Sequence, residues 1–148
     1  MKPSNWRRLL VGSAVVALGM VAAAQQPAAG GSYTADQATS GKAAYDRRCA
    51  GCHLKDLSGS TGPGLVGPSF ISAWSDRKTS DLVELIKNTM PQGGEGSLTN
   101  EEYINIVAYI LQANGHSAGA RELRADSEVL VGAGAAAAPQ TPQAPAAQ

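Results

Sequence analysis

The stretch "RRCAGCHL", residues 47–54, contains both cysteines of this 148-residue chain and one of its two histidines. Cys49 and Cys52 are three residues apart, so their side chains lie on the same side of a helical turn. His53 follows Cys52 directly. The cluster suggests three kinds of chemistry, namely a redox-active cysteine pair, a zinc site or a covalently bound cofactor.

Two of these interpretations fit the surrounding sequence poorly. A redox-active pair lies at the N-terminus of a helix, where the dipole lowers the thiol pKa, but here the helix predicted at about 37–50 leads into the pair. A zinc site would need all four Cys and His residues of the chain, including the distant His116. Structural zinc ligands come in separated pairs, whereas Cys52 and His53 are adjacent.

The C-x-x-C-H pattern of Cys49, Cys52 and His53 is the attachment signature of c-type haem. Two cysteines on one turn can form thioether bonds to one haem, and the imidazole that follows them points at the iron. Electron transfer alone requires a second axial ligand. Met90 is the candidate because a Gly-rich loop follows it. His116 and an open sixth position are the alternatives.

The first 24 residues have the pattern of a secretory signal peptide. Three basic residues precede the apolar stretch 9–24, which ends in an Ala-x-Ala pattern at Ala22 and Ala24. We therefore predict a periplasmic or otherwise exported protein with no membrane span after cleavage. A retained anchor is the alternative, although the stretch is short and rich in Ala and Gly for a span. Cleavage would leave Met90 as the only methionine.

Composition limits the partners and the core. Residues 25–148 retain nine Lys and Arg residues against twelve Asp and Glu residues, a net charge of −3. This mild acidity argues against nucleic acid as a partner. The whole chain has four Tyr, two Trp and one Phe. A small domain with so few aromatic residues builds a thin core, and such domains often need a disulfide, a metal or a cofactor.

Composition also predicts how the chain is divided. We expect a signal peptide over 1–24, a flexible lead-in over 25–35, a folded domain over 36–116, a surface extension over 117–131 and a disordered Ala/Pro/Gln-rich tail over 132–148.

The folded domain is expected to be all-α. Periodicity and capping residues predict three helices, at about 37–50, 80–89 and 100–112. Ser80 is expected to cap the second helix. Thr99 and Glu102 form a capping box for the third. The segment 57–78 is dense in Gly, Pro and Ser, and we expect an irregular loop packed against a large non-protein group.

Beyond the haem motif, the chain resembles a class I c-type cytochrome. "TGPGLVG" (61–67) is similar to the family's segment after the motif, and "TMPQGG" (89–94) with "LTNEEYINIVAYIL" (98–111) is similar to its methionine loop and C-terminal helix. The family's first helix and its attachment motif are matched by Gly41, Tyr45, Cys49, Cys52 and His53. The similarity spans about residues 37–115.

The resemblance implies a small cytochrome c fold, with three main helices and long loops around one covalently bound haem. His53 would be the proximal iron ligand and Met90 the distal one. The carbonyl of Pro63 would accept a hydrogen bond from the His53 ring, with Pro68 as the weaker candidate. Gly41 would let the first helix cross closely over the third, near Tyr109.

Other residues are expected around the haem. Trp74 either donates its indole N–H to a haem propionate or packs in the core. Arg77 and Lys78 are expected to be solvated charges rather than partners of the propionates. The apolar candidates for the haem pocket are Leu57, Leu65, Phe70, Leu82, Ile86 and Leu98.

The predicted function is single-electron transfer by a monomeric monohaem cytochrome, not catalysis. The methionine loop and last helix are most similar to those of small cytochromes associated with quinoprotein (PQQ) dehydrogenases. That similarity implies a dehydrogenase as electron donor and an oxidase or another cytochrome as acceptor. The alternatives are a peroxidase-like haem enzyme, and a haem-containing sensor or subunit with an open or exchangeable sixth ligand.

Overall fold

The structure, a computed structural model, describes residues 31–137 and their side chains as far as residue 134. The predicted signal peptide, most of the lead-in and residues 138–148 lie outside the described residues. The elements are α1 (Ala35–Arg48), α2 (Ala50–His53), α3 (Pro68–Trp74), α4 (Thr79–Thr89), α5 (Asn100–Ala113) and a 3-10 helix (Val131–Ala137). Within this range only two isolated β-bridges occur, so the predicted all-α class is confirmed. None of the described helices is long and apolar enough to cross a bilayer.

Both long helices begin at capping boxes. At α5 the Thr99 hydroxyl accepts from the Glu102 amide at 3.1 Å, and the Glu102 carboxylate accepts from the Thr99 amide at 3.0 Å. This is the capping box that the sequence predicts. An equivalent pair at α1 joins Thr34 and Gln37, with distances of 3.3 and 3.1 Å. These side chains satisfy amides that have no partner inside the helix.

The predicted cap of α4 is wrong. Lys78, not Ser80, occupies the N-cap position, and its amide donates to the Asp81 carboxylate at 3.1 Å. The Ser80 amide donates instead to the carbonyl of Ser127 at 3.1 Å. A segment distant in sequence therefore satisfies the start of α4, which local pattern alone does not indicate.

The segment 57–78 is not irregular throughout, because it contains α3. Gly67, with a φ of +84°, precedes the helix, and Pro68 is its first residue. Proline fits the first helical position because its ring presets φ and its missing N–H would be unsatisfied there anyway. A Gly-Pro pair that suggests a loop thus begins a short helix.

Helices α1 and α5 cross in close contact at Gly41, within one turn of Tyr109 on α5. A Cβ on Gly41 would overlap the backbone carbonyl of Asn105. Tyr109, one turn further along α5, packs edge-on against Tyr45 with ring centroids 5.3 Å apart. Tyr45 is likewise one turn beyond Gly41. Bulky rings therefore fill the space that opens where the helix axes diverge.

The C-terminal extension, which we define as residues 117–137, runs mostly over the surface, as predicted, but two of its side chains are buried in the core. Leu123 and Val131 are 2% and 0% exposed. The side-chain amide of Gln37 bonds both the amide and the carbonyl of Leu123, at 2.8 and 2.9 Å. The Thr79 amide donates to the carbonyl of Val129 at 2.8 Å. The extension therefore ties the start of α1 to the start of α4.

Order also continues past the predicted boundary at residue 132. The 3-10 helix covers Val131–Ala137, and the amide nitrogen of Gly134 lies 3.1 Å from Nε2 of His116. A Cβ on Gly134 would overlap the His116 ring. Ala- and Gly-rich composition here allows close packing against a ring, which is why composition alone was misleading for residues 132–137.

Candidate functional site

A cavity of about 800 Å³ lies between the end of α1, α2, α3, α4 and one face of α5. Its volume falls within the usual range for cofactor and ligand sites. All seven residues that the sequence predicts for the site line it: Cys49, Cys52, His53, Pro63, Leu65, Trp74 and Met90. They come from positions up to 41 residues apart in the chain, so the fold brings them together.

The two cysteines belong to one turn, since Cys49 is the N-cap of α2 and Cys52 lies within it. The amides of Cys52 and His53 both donate to the carbonyl of Cys49, at 3.1 and 2.9 Å. Both thiols are free, with Cys49 half-buried and Cys52 exposed. Burial, and to a lesser degree the neighbouring Cys52, raises the pKa of the Cys49 thiol to about 11. A redox-active pair needs the opposite shift, toward a stable thiolate.

His53 is held in one orientation. Its Nδ1 donates to the carbonyl of Pro63 at 2.7 Å, which assigns the proton to Nδ1 and leaves the Nε2 lone pair available to a metal. A Cβ on Gly62 would come within 2.7–3.0 Å of three atoms of the ring, so only glycine leaves room for the imidazole. Pro68, the weaker candidate for this hydrogen bond, instead begins α3.

Met90 follows α4 and lines the same cavity as His53. Its backbone is extended, with φ −134° and ψ 152°. The chain therefore leaves the helix there, as the following Pro91 requires. The carbonyl of Met90 accepts from the hydroxyl of Tyr103 on α5 at 3.2 Å.

His116 is not in the cavity. It is 6% exposed, and its Nε2 lies 2.8 Å from the carbonyl of Val131. His116, the alternative sixth ligand, is therefore held by a contact with the C-terminal extension. Among residues 31–137, no group of three or more His, Cys, Asp or Glu residues is arranged to hold a metal ion.

Trp74 forms part of the cavity wall. Its ring stacks on Phe70 with centroids 6.2 Å apart, and the Arg77 guanidinium lies 5.0 Å from the Trp74 ring centroid. Arg77 and Lys78 do not line the cavity. Lys78 pairs with Glu128 at 2.6 Å on the exposed surface. The expectation that these two cations face solvent fits this geometry.

Several residues of the cavity wall were not predicted from the sequence. Arg48 lines the cavity, and among the described residues it is the only Lys, Arg, Asp or Glu that does so. Because Arg48 directly precedes Cys49, its place at the site could have been predicted from the sequence. Ile106 and Ile110 of α5 also line the cavity, although their periodicity indicates only a buried face. Leu57 and Leu98 are buried in the core but do not line the cavity, unlike Leu65, Phe70, Leu82 and Ile86.

The residues present fit a haem. Two thiols one turn apart, an imidazole with a free Nε2, and a thioether side chain line one cavity. The remaining lining is largely aliphatic and aromatic, which suits a flat apolar macrocycle. Cys49 and Cys52 would hold the group covalently, and His53 and Met90 are the side chains suited to its iron.

Comparison with known proteins agrees with this chemistry. Residues 36–110 match the family described as "Cytochrome C oxidase, cbb3-type, subunit III". The chain is 35% identical over 65 residues to cytochrome c-551 of Bacillus subtilis (strain 168), covering 43% of this chain and 54% of that protein. It is 33% identical over 79 residues to thiosulfate dehydrogenase of Allochromatium vinosum, covering 48% of this chain and 29% of that protein.

The chain thus spans about a third to a half of the length of the curated relatives that it matches. Among solved structures, the sulfane dehydrogenase SoxCD from Paracoccus pantotrophus is similar at 20% identity and a TM-score of 0.44. That match covers 67% of this chain and 51% of the SoxCD chain. The family match covers half of the chain, from the start of α1 to near the end of α5, and includes the attachment motif. The chain therefore belongs to this family of c-type cytochromes, and its cofactor is covalently bound haem c.

Proposed function

We propose that this protein is an exported monohaem cytochrome that carries single electrons between respiratory partners and performs no bond chemistry of its own. Membership of the cytochrome c family supports electron transfer. The observation that carries the proposal is the presence of Met90 in the same cavity as His53. His53 and Met90 are the side chains that would hold the haem iron, and iron held by both would not bind exogenous ligands.

Each part of the site has a role in such a carrier. Bound haem supplies the one-electron couple of its iron. Cys49 and Cys52 fix its position, and the hydrogen bond from His53 to Pro63 fixes the imidazole and raises its basicity. The thioether of Met90 favours the reduced state and raises the potential. Leu82 and Ile106 exclude water from the cavity wall.

We further propose that the electron donor is a quinoprotein dehydrogenase and that the acceptor is an oxidase or another cytochrome. This narrower assignment is supported by the sequence similarity of the methionine loop and α5. Stopped-flow reduction of the oxidised protein by a PQQ-dependent alcohol dehydrogenase tests it, with thiosulfate as the alternative reductant. Fast reduction by the dehydrogenase is expected. Reduction by neither would remove this donor assignment and leave the carrier function in place.

Replacing Met90 tests the carrier function itself. Met90→Ala is expected to keep the haem covalently attached, lower the reduction potential and allow imidazole and carbon monoxide to bind. The long-wavelength charge-transfer band of the oxidised protein should disappear. Leu85→Ala is the matched control, because Leu85 is 45% exposed at the cavity but offers no ligand atom. A wild-type spectrum and potential in Met90→Ala would show that the ligand is assigned wrongly.

The same preparation tests for the enzyme alternative. A carrier with both axial positions filled should turn over peroxide slowly, and Met90→Ala should do so faster. Rapid peroxide turnover by the wild-type protein would contradict the proposal and favour a peroxidase-like function.

Intact mass after purification measures haem count and signal cleavage together, because it should equal the chain from residue 25 plus one haem.

A further inference from the structure

The loop from Met90 to Leu98 begins and ends on a single phenol. The hydroxyl of Tyr103 donates to the carbonyl of Met90 at 3.2 Å, and it accepts from the amide of Leu98 at 3.3 Å. Tyr103 itself is fully buried on α5. One hydroxyl thus bonds both ends of the segment that carries the predicted distal ligand.

This hydroxyl has a rigid support. Tyr103 lies in the first turn of α5, directly after the capping box of Thr99 and Glu102. The same helix is held against α1 at the Gly41 crossing. The phenol therefore connects Met90 to the two helices that are packed most closely in the fold.

The loop itself has little to fix it. Gly93 and Gly96 both have positive φ, and glycine loses more conformational freedom on ordering than any other residue. Its other backbone bonds are local, from the amides of Gly94 to Pro91 at 2.9 Å, Gly96 to Lys87 at 3.1 Å and Ser97 to Gly94 at 3.2 Å. These bonds shape the turn and its junction with α4 but do not attach it to α5.

We infer that Tyr103 is a positioning residue for the Met90 ligand. By bonding the Met90 carbonyl it sets where the thioether lies in the cavity, and by bonding the Leu98 amide it keeps the loop closed. The inference rests on the proposed function, because it matters only if Met90 is the distal ligand. It concerns Tyr103 acting through Met90, without contact between Tyr103 and the haem.

The test is an imidazole titration of the oxidised, haem-loaded Tyr103→Phe protein. The substitution keeps the ring and removes both hydrogen bonds. Without these hydrogen bonds Met90 should be easier to displace. Imidazole affinity should therefore rise about tenfold, equivalent to about 1.4 kcal/mol. One or two net hydrogen bonds account for an effect of this size. The charge-transfer band should weaken and the potential should fall.

Tyr109→Phe is the matched control. Tyr109 is also buried on α5, and its hydroxyl has no hydrogen bond to the methionine loop. Thermal unfolding of both variants separates a positioning role of Tyr103 from a purely structural one. A purely structural role would lower the melting temperature without changing imidazole affinity. An affinity in Tyr103→Phe equal to that in Tyr109→Phe would overturn the inference.

Two further measurements complete the experiment. Met90→Ala, titrated in parallel, should bind imidazole far more tightly than either tyrosine variant. Wild-type affinity in Met90→Ala would overturn the proposed function, and the inference with it. If Tyr103→Phe fails to fold, amide hydrogen exchange at Leu98 in the wild-type protein decides instead. Strong protection is expected. Exchange at the rate of an unstructured peptide would show that the Leu98 amide is not bonded to the Tyr103 hydroxyl, which would overturn the inference.

Discussion

The imidazole of His53 is fixed by two neighbours that contribute no side-chain functional group. The carbonyl of Pro63 accepts the Nδ1 proton at 2.7 Å, and the absence of a side chain at Gly62 leaves space for the ring. The proposed haem ligand is therefore oriented by backbone atoms ten residues away. Such an arrangement sets the tautomer before any metal binds.

Gly62→Ala should disturb the proximal ligand directly. The added methyl would come within 2.7–3.0 Å of three ring atoms, so the ring must move. We expect a loss of about 1–3 kcal/mol in the free energy of unfolding, as for overpacked core sites, and a changed haem spectrum. Gly51→Ala is the control, because a Cβ there meets nothing within 4 Å. Equal denaturation midpoints and spectra for the two variants would show that the Gly62 contact is unimportant.

At the scale of secondary structure, the contact between α1 and α5 organises the molecule. Gly41 allows the backbones to touch, and Tyr45 and Tyr109 fill the space one turn further on. Cys49 caps the end of α1, and α5 supplies Ile106 and Ile110 to the cavity wall and Tyr103 to the Met90 loop. The crossing therefore relates the proposed attachment residue Cys49 to Met90, the proposed distal ligand.

Gly41→Ala should be among the most damaging small substitutions in this protein. Its Cβ would overlap a backbone carbonyl, which cannot move aside as a flexible side chain can. We expect a loss of about 3 kcal/mol or more, at or above the upper end of overpacking effects. Thr99→Ala, which removes only a cap from α5, should cost about 1 kcal/mol. Urea unfolding of the two variants measures the difference, and a smaller loss in Gly41→Ala would contradict the close crossing.

At the scale of the whole molecule, the C-terminal extension joins elements that are distant in sequence. It bonds Gln37 at the start of α1, Thr79 at the start of α4 and Ser75 at the end of α3. Val131 is fully buried, and the 3-10 helix that it begins packs against His116. The extension therefore braces the wall of the cavity formed by α3 and α4.

Two truncations should separate the extension from the residues after it. Ending the chain after Leu130 removes the burial of Val131 and the packing of Gly134 on His116, and should cost about 2–3 kcal/mol. Ending it after Ala137 leaves every described contact in place and is the matched control. Thermal unfolding of both haem-loaded proteins measures this. Identical melting temperatures would show that the 3-10 helix does not brace the fold.

The sequence by itself determined the cofactor, the all-α class and the capping box of α5. Each of these depends on residues within about four positions of one another, where side-chain geometry follows from helical spacing. The C-x-x-C-H motif is local chemistry of this kind. So is the reciprocal pair formed by Thr99 and Glu102.

Only the tertiary structure decided the features that depend on distant partners. It placed Pro63 rather than Pro68 against His53, sequestered His116 with Val131, and brought the Tyr103 hydroxyl to Met90. It also showed that Ser127, rather than a local side chain, satisfies the Ser80 amide of α4. These pairs are 10 to 47 residues apart, and their proximity follows from packing around the α1–α5 crossing, which no local pattern encodes.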